Sequence, residues 1–213
     1  MPLDRTLLDR TLLDRIRLPF EDELRAERFR LIETLDGLSD DDFDAGTTLC
    51  TEWAPRDVLG HVIGLDYFLG SYLPFGPRIN AANQAQADRA RAVPRDRLMR
   101  WARHWADHPS TTSRIGAPVL LGDLGVHHQD VLRGLGLTRR VPDGTATAIF
   151  REGLQLSLWL NRRVLRHRLE PTDGHRPVAL PTAKDGPVVR GTREALGMWL
   201  CGRDSVAAEL EFA

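Results

Sequence analysis

Residues 123–136 read "DLGVHHQDVLRGLG". Wound as a helix, side chains four apart share a face, so Asp123 and His127 are neighbours and Asp130 lies close to that face. His128 is turned by about 100° from His127 and should face elsewhere. The glycines at 134 and 136 suit a helix C-cap, which sets this helix at about 118–134. Two acids and two histidines inside an otherwise apolar helix are either hydrogen-bonded core residues or ligands. This stretch alone leaves both readings open.

Working outward, the flanking chain reads as further helices. Pro19 opens the first, with Phe20, Leu24, Leu31, Leu35 and Leu38 at helical spacing, and "GLSDDD" ends it. Pro55 is placed for the first turn of a second helix, running to about Tyr72, before "LPFGP" breaks the chain. "NAANQAQADRARAV" forms a polar helix up to Pro94, and "RDRLMRWARHWADH" a further one. The last long helix spans about Thr145 to Arg166, with Leu154, Leu158 and Leu165 on one side. After Leu169, "PTDGHRPVALPTAKDGPVVRG" predicts two short strands and turns, "TREALGMWLCGR" a short helix, and "AAELEF" a closing strand. The fold class is therefore mainly α: an antiparallel four-helix bundle over residues 18–168, with a small C-terminal α/β segment, 169–213, packed on it. Residues 1–17 repeat "LDRT" with a five-residue period that matches neither helix nor strand, and read as a flexible arm.

The 213 residues with 42% hydrophobic content suffice for one core. A net charge of -1 gives no footprint for nucleic acid or an anionic membrane, and no apolar run is long enough to span a bilayer. Cys50 and Cys201 are the only cysteines, and the N-terminus carries no secretory pattern, so a cytoplasmic location is expected. Only Lys184 among 29 basic residues is lysine, a bias that points to a high-GC bacterial genome.

A third ligand to join Asp123 and His127 is available. His61 shares the apolar face of its helix with Val58, Leu65 and Phe68. Two imidazoles and one carboxylate make an open three-ligand site, with a further position for water or substrate. The bland alternative is a hydrogen-bonded core histidine beside a chance Asp/His pair. Cys50 reads as a small buried hydrophobe, and Trp53 and Asp57 as packing and capping residues.

Three segments carry a resemblance. "TTLCTEWAPRDVLGHVIG" (47–64), "DLGVHHQDVLRGLG" (123–136) and "VVRGTREALGMWLCGR" (188–203) resemble, in order, the motifs of the mycothiol-dependent maleylpyruvate isomerase family, a DinB-like group of four-helix metalloproteins. The resemblance implies a divalent ion, zinc first and nickel as the alternative, on His61, Asp123 and His127, with mycothiol as cosubstrate. Asp123 departs from the family's usual Glu and is shorter by one methylene, which leaves the metal's identity open. Asp130 becomes a candidate to hold the spare N–H of a ligand histidine, against a solvated helix acid. Arg203 becomes a candidate to orient an anionic substrate, against a structural salt bridge. The implied function is addition of a thiol to an electrophilic small molecule, ending in S-transfer or cis–trans isomerisation. A non-catalytic metal-binding protein and a metal-assisted hydrolase remain the other readings. Partners are then a small electrophile and a low-molecular-weight thiol, with no nucleic acid or membrane, and the oligomeric state is open.

Overall fold

The computed structural model describes residues 17–213. The arm expected from the repeats lies outside the described residues apart from Arg17. Helix α1 (Glu21–Asp36) opens on three acids that suit its positive N-terminal end, and buries Leu24, Leu31 and Leu35. The run read as its end also starts a short helix, α2 (Asp40–Ala45), because the Ser39 hydroxyl accepts from the Asp42 amide at 3.0 Å. Helix α3 (Pro55–Leu65) begins at its proline, as expected. The Asp57 carboxylate accepts from the Ala54 amide at 3.0 Å and from Arg91 at 2.8 Å, the capping role read from the sequence. The α3 helix stops before Tyr72. The buried Asp66 side chain turns aside to meet Arg28 Nη2 at 2.5 Å, and α4 (Phe68–Tyr72) is a separate piece.

Helices α5 (Ile79–Arg91), α6 (Arg95–Asp107), α7 (Thr111–Ile115), α8 (Ala117–Gly134) and α9 (Asp143–Leu160) follow. The bundle is α1, α3, α6 and α8, around Leu31, Leu35, Val58, Leu59, Met99 and Leu121. Pairs running in opposite senses show its antiparallel order: Arg25 meets Asp107 at 2.9 Å, and Asp36 meets Arg103 at 2.7 Å. Helix α5 packs outside α3, and α9 outside α8. Helix α9 ends six residues earlier than expected. Asn161 caps it by accepting from Ser157 Oγ at 2.6 Å, and Arg162 takes a left-handed φ of 58°. Leu154 and Leu165 pack inward, but Leu158 is exposed, so the expected leucine stripe is only partly a core face. None of the described helices is long and apolar enough to cross a membrane.

The C-terminal segment forms a three-stranded sheet. Strand β1 (Arg168–Pro171) pairs in parallel with β2 (Val188–Gly191), placing Leu169 opposite Val189. The closing strand β3 (Glu211–Phe212) pairs antiparallel to β2. It is shorter than expected because Asp204–Glu209 winds into 3-10 turns. Helix α10 (Arg193–Leu200) lies on α9, joined through two glycines. A Cβ on Gly153 would come within 2.6 Å of the Gly197 carbonyl oxygen, and one on Gly197 within 2.6 Å of the Ile149 carbonyl oxygen. Backbone cannot yield as a side chain can. Gly153→Ala is therefore expected to lower stability by about 1–3 kcal/mol in urea unfolding. Gly70→Ala, whose Cβ would meet nothing within 4 Å, should be neutral or slightly stabilising.

The adjacent histidines of the opening stretch separate as the helical turn demands. His128 is fully buried against α1, with Nδ1 2.8 Å from Glu27 Oε1 and Nε2 2.8 Å from Thr34 Oγ1. Arg139 also grips Glu27, and Thr145 donates to it at 3.3 Å. Burial would raise the Glu27 pKa, but His128 and Arg139 overcome this and hold it at about 2. His128 thus ties α8 to α1 and leaves His127, about 100° round the helix, to a different face.

Candidate metal centre

His61 on α3 and Asp123 and His127 on α8 meet in the bundle, with their ligand atoms all within 4.8 Å of one another. His61 Nε2 lies 3.7 Å from Asp123 Oδ2, and His127 Nε2 lies 3.7 Å from Asp123 Oδ1. These distances are too long for hydrogen bonds. They suit groups that share an ion, since ligands at about 2.0–2.2 Å from one centre sit roughly 3–4 Å apart. Asp123 Oδ2 is buried with no hydrogen-bond partner among the described residues. Burial works against its ionisation, but His127, His61 and Arg203 outweigh that and hold its carboxyl below the usual range. A buried, ionised oxygen without a donor, facing two imidazole nitrogens, fits a cation. Nitrogen and oxygen donors in this number accept zinc and several other divalent ions.

The other nitrogen of each imidazole is already occupied. Gln86 Oε1, on α5, lies 2.9 Å from His61 Nδ1. Gly64 clears its path, since a Cβ there would come within 2.6 Å of Gln86 Cγ and Cδ. Asp130 Oδ2 lies 3.1 Å from His127 Nδ1. With an acceptor at each Nδ1, each ring turns Nε2 toward Asp123, the arrangement in which an ion held there would leave the remaining ring proton on Nδ1. Trp53 walls the pair, its ring centroid 5.2 Å from that of His61 and 6.1 Å from that of His127.

Behind His127 lies a second layer. Arg203 Nε and Nη2 fork onto Asp130 Oδ1 and Oδ2 at 2.9 and 2.6 Å, and Arg203 Nη1 donates to the Cys201 carbonyl at 3.0 Å. Burial disfavours the Asp130 carboxylate, but its bonds from His127 and Arg203 hold its pKa far below the usual range. The Cys50 thiol donates to Asp130 Oδ2 at 3.0 Å and lies 3.2 Å from Arg203 Nη2. This corrects the reading of Cys50 as a buried hydrophobe: it is half-buried and part of a polar network. Burial, then the Asp130 charge, push its pKa well up, so it remains a neutral donor. Gly134 lets this happen. A Cβ there would come within 2.4 Å of Thr48 Cα, so only glycine lets the 47–54 linker cross α8 and drop Cys50 beside Asp130. The Leu49 amide completes the crossing, donating to the Asp130 carbonyl at 3.0 Å.

All five residues singled out in the sequence therefore converge: His61, Asp123 and His127 around one point, Asp130 and Arg203 behind His127. Gln86 and Cys50 were missed. Nothing in a polar, alanine-rich helix marks one glutamine as the partner of a histidine 25 residues away. Glu152 was missed too. It reaches over Gly122 on α8, where burial and then the charge of Asp123 push its pKa up to about 7. A carboxyl raised in the fold destabilises it above that value and not below about 4.5, where both states are protonated. In metal-free protein, Glu152→Gln should add about 1–3 kcal/mol at pH 8 and nothing at pH 4. Urea unfolding at the two pH values reads this directly.

No family model matches the sequence, and no curated protein does. Solved structures do. A histidine-to-alanine variant of the mycothiol-dependent maleylpyruvate isomerase matches with a TM-score of 0.65 at 14% identity, over 92% of this chain and 93% of that one. The unsubstituted isomerase matches with a TM-score of 0.64 at 15% identity, over the same shares. At such identity the likeness establishes the fold: the helical bundle with its C-terminal appendage is shared along nearly the whole of both chains.

Proposed function

We propose that this protein is a metal-dependent enzyme that uses a low-molecular-weight thiol, mycothiol, against an electrophilic small molecule. One observation carries the reading. Two imidazoles, each held at Nδ1 by an acceptor, turn Nε2 onto a carboxylate with an unsatisfied buried oxygen. The thiol itself is suggested by the shared fold with a mycothiol-dependent enzyme. A divalent ion, zinc by preference, held by His61, Asp123 and His127 would supply an open Lewis-acid position that favours the thiolate over the thiol. The chain's own residues prepare that position. Gln86 and Asp130 fix the two ring tautomers, and Trp53 shields the imidazoles from water. Arg203 and Asp130 serve as positioning residues: the planar fork of Arg203 is taken up by Asp130, so it acts through His127 instead of gripping substrate. The reaction class is thiol addition to an activated carbon, ending in an S-conjugate or, after elimination, in a cis–trans isomer.

The test is thiol consumption by metal-loaded protein with mycothiol and two matched acceptors, one bearing a carboxylate and one neutral. Metal-dependent consumption is expected. Arg203→Lys, which keeps charge but loses the fork, should slow both acceptors alike. A loss confined to the charged acceptor would return Arg203 to direct substrate binding. No consumption with any acceptor, at full metal loading, would leave a metal-binding protein without thiol chemistry.

A further inference from the structure

On the flank of the bundle, three helices each turn one face onto a common cavity of about 490 Å³. Helix α3 contributes Gly60, Ile63 and Gly64, α5 contributes Gln86, Arg89 and Ala90, and α6 contributes Leu98, Trp101 and Trp105. Each trio falls at the spacing of neighbours on one helical face. The volume lies within the range of small-molecule sites, and most of the wall is apolar. It exists because Gly60 and Gly64 draw α5 close to α3: a Cβ on Gly60 would come within 2.5 Å of Ala90 Cβ.

Arg89 is the one permanently charged side chain of the cavity wall among the described residues. Among the described residues no carboxylate lines it, Arg89 stands on the rim, and Tyr67, Ser71 and His104 also line it. The Arg89 guanidinium has no ion-pair or hydrogen-bond partner among the described residues. Gln86 is almost wholly buried and lines the wall. Its Oε1 holds His61, and its buried Nε2 faces the Tyr72 hydroxyl, so the amide is part of the wall. Trp101, nearly half exposed, and Trp105, buried, offer ring surface between these polar points.

We propose that this cavity is a second small-molecule site, for an aromatic or similarly apolar carboxylate. The ring lies against Ile63, Leu98, Trp101 and Trp105, and the carboxylate meets Arg89 at the rim. A neutral apolar ligand would leave the cation unused, and an anion without an apolar body would leave the wall wet. Because Gln86 also holds His61, the cavity and the metal centre share one side chain. The proposal does not depend on the thiol chemistry, and it is tested on metal-free protein, so the two readings fail separately.

The experiment titrates metal-free protein with naphthoate and with the neutral naphthalene methanol, following the indole N–H signals by NMR and the heat of binding by calorimetry. Saturable binding should shift Trp101 and Trp105 and leave Trp159 and Trp199 in place. Trp101→Ala should weaken both ligands about ten-fold. Arg89→Gln, at an exposed rim position, should weaken naphthoate about five-fold and leave naphthalene methanol unchanged. Equal effects of Arg89→Gln on the two ligands would overturn the anionic class. Absence of saturable binding, or binding that survives Trp101→Ala and shifts Trp53 instead, would overturn the site.

Discussion

His61→Ala is expected to release the divalent ion. Purified wild type should hold about one ion per chain, and the variant should lose at least about 100-fold in affinity, more than removal of an outer partner typically brings. His127→Ala should do the same, because each imidazole presents Nε2 to Asp123 at the same 3.7 Å. Asp123→Asn should weaken binding by removing the one anionic ligand. Asp123→Glu should keep or improve it, since the added methylene lengthens the reach. Elemental analysis and chelator competition measure all four. Full occupancy in both histidine variants would remove the ligand assignment, and unchanged affinity in Asp123→Asn would place the carboxylate ligand elsewhere.

Asp130→Asn is expected to damage stability and metal affinity together. Asp130 is fully buried and takes two bonds from Arg203, one from His127 and one from Cys50. Neutralising it leaves the mostly buried Arg203 cation without a counter-ion, at a loss of about 3 kcal/mol in metal-free protein. It also frees the His127 ring to change tautomer, which should weaken metal binding about 10- to 100-fold. The pH dependence follows from the lowered carboxyl pKa. Its stabilisation is complete above the unfolded value of about 3.9 and disappears as pH falls toward the folded value. Wild type should therefore lose stability steeply below about pH 4, and Asp130→Asn should show a flatter acid limb. Urea unfolding across pH, paired with chelator competition at neutral pH, checks both halves. If neither stability nor affinity changes, Asp130 is a bystander.

Much of the fold was legible because helices write their faces locally. The i, i+4 spacing placed Asp123 with His127, the 100° turn separated His128, and prolines and glycines marked most breaks. Where the reading failed, a tertiary contact had overridden the local pattern. Helix α3 stops at Leu65 because Asp66 is drawn to Arg28, and α9 stops at Leu160 because Ser157 and Asn161 close its end. Short strands are less legible still, since pairing such as Val189 with Phe212 depends on residues far apart in the chain.

The sequence by itself determined a mainly helical bundle, the histidines and acids that could serve as ligands, and which helix face carries each, because each of these is a property of a few consecutive residues. Only the tertiary structure decided that Gln86 would hold His61, that Cys50 and Arg203 would share Asp130, and that Glu152 would lie beside Asp123. Arg203 and Asp130 stand 73 residues apart, and Arg203 and Cys50 stand 153 apart. Their meeting depends on glycine contacts, at Gly134, Gly153 and Gly197, that bring whole segments within a few ångströms. A missing side chain leaves no pattern along a sequence, yet in the packed molecule it sets how closely two backbones approach and so which distant charges can touch.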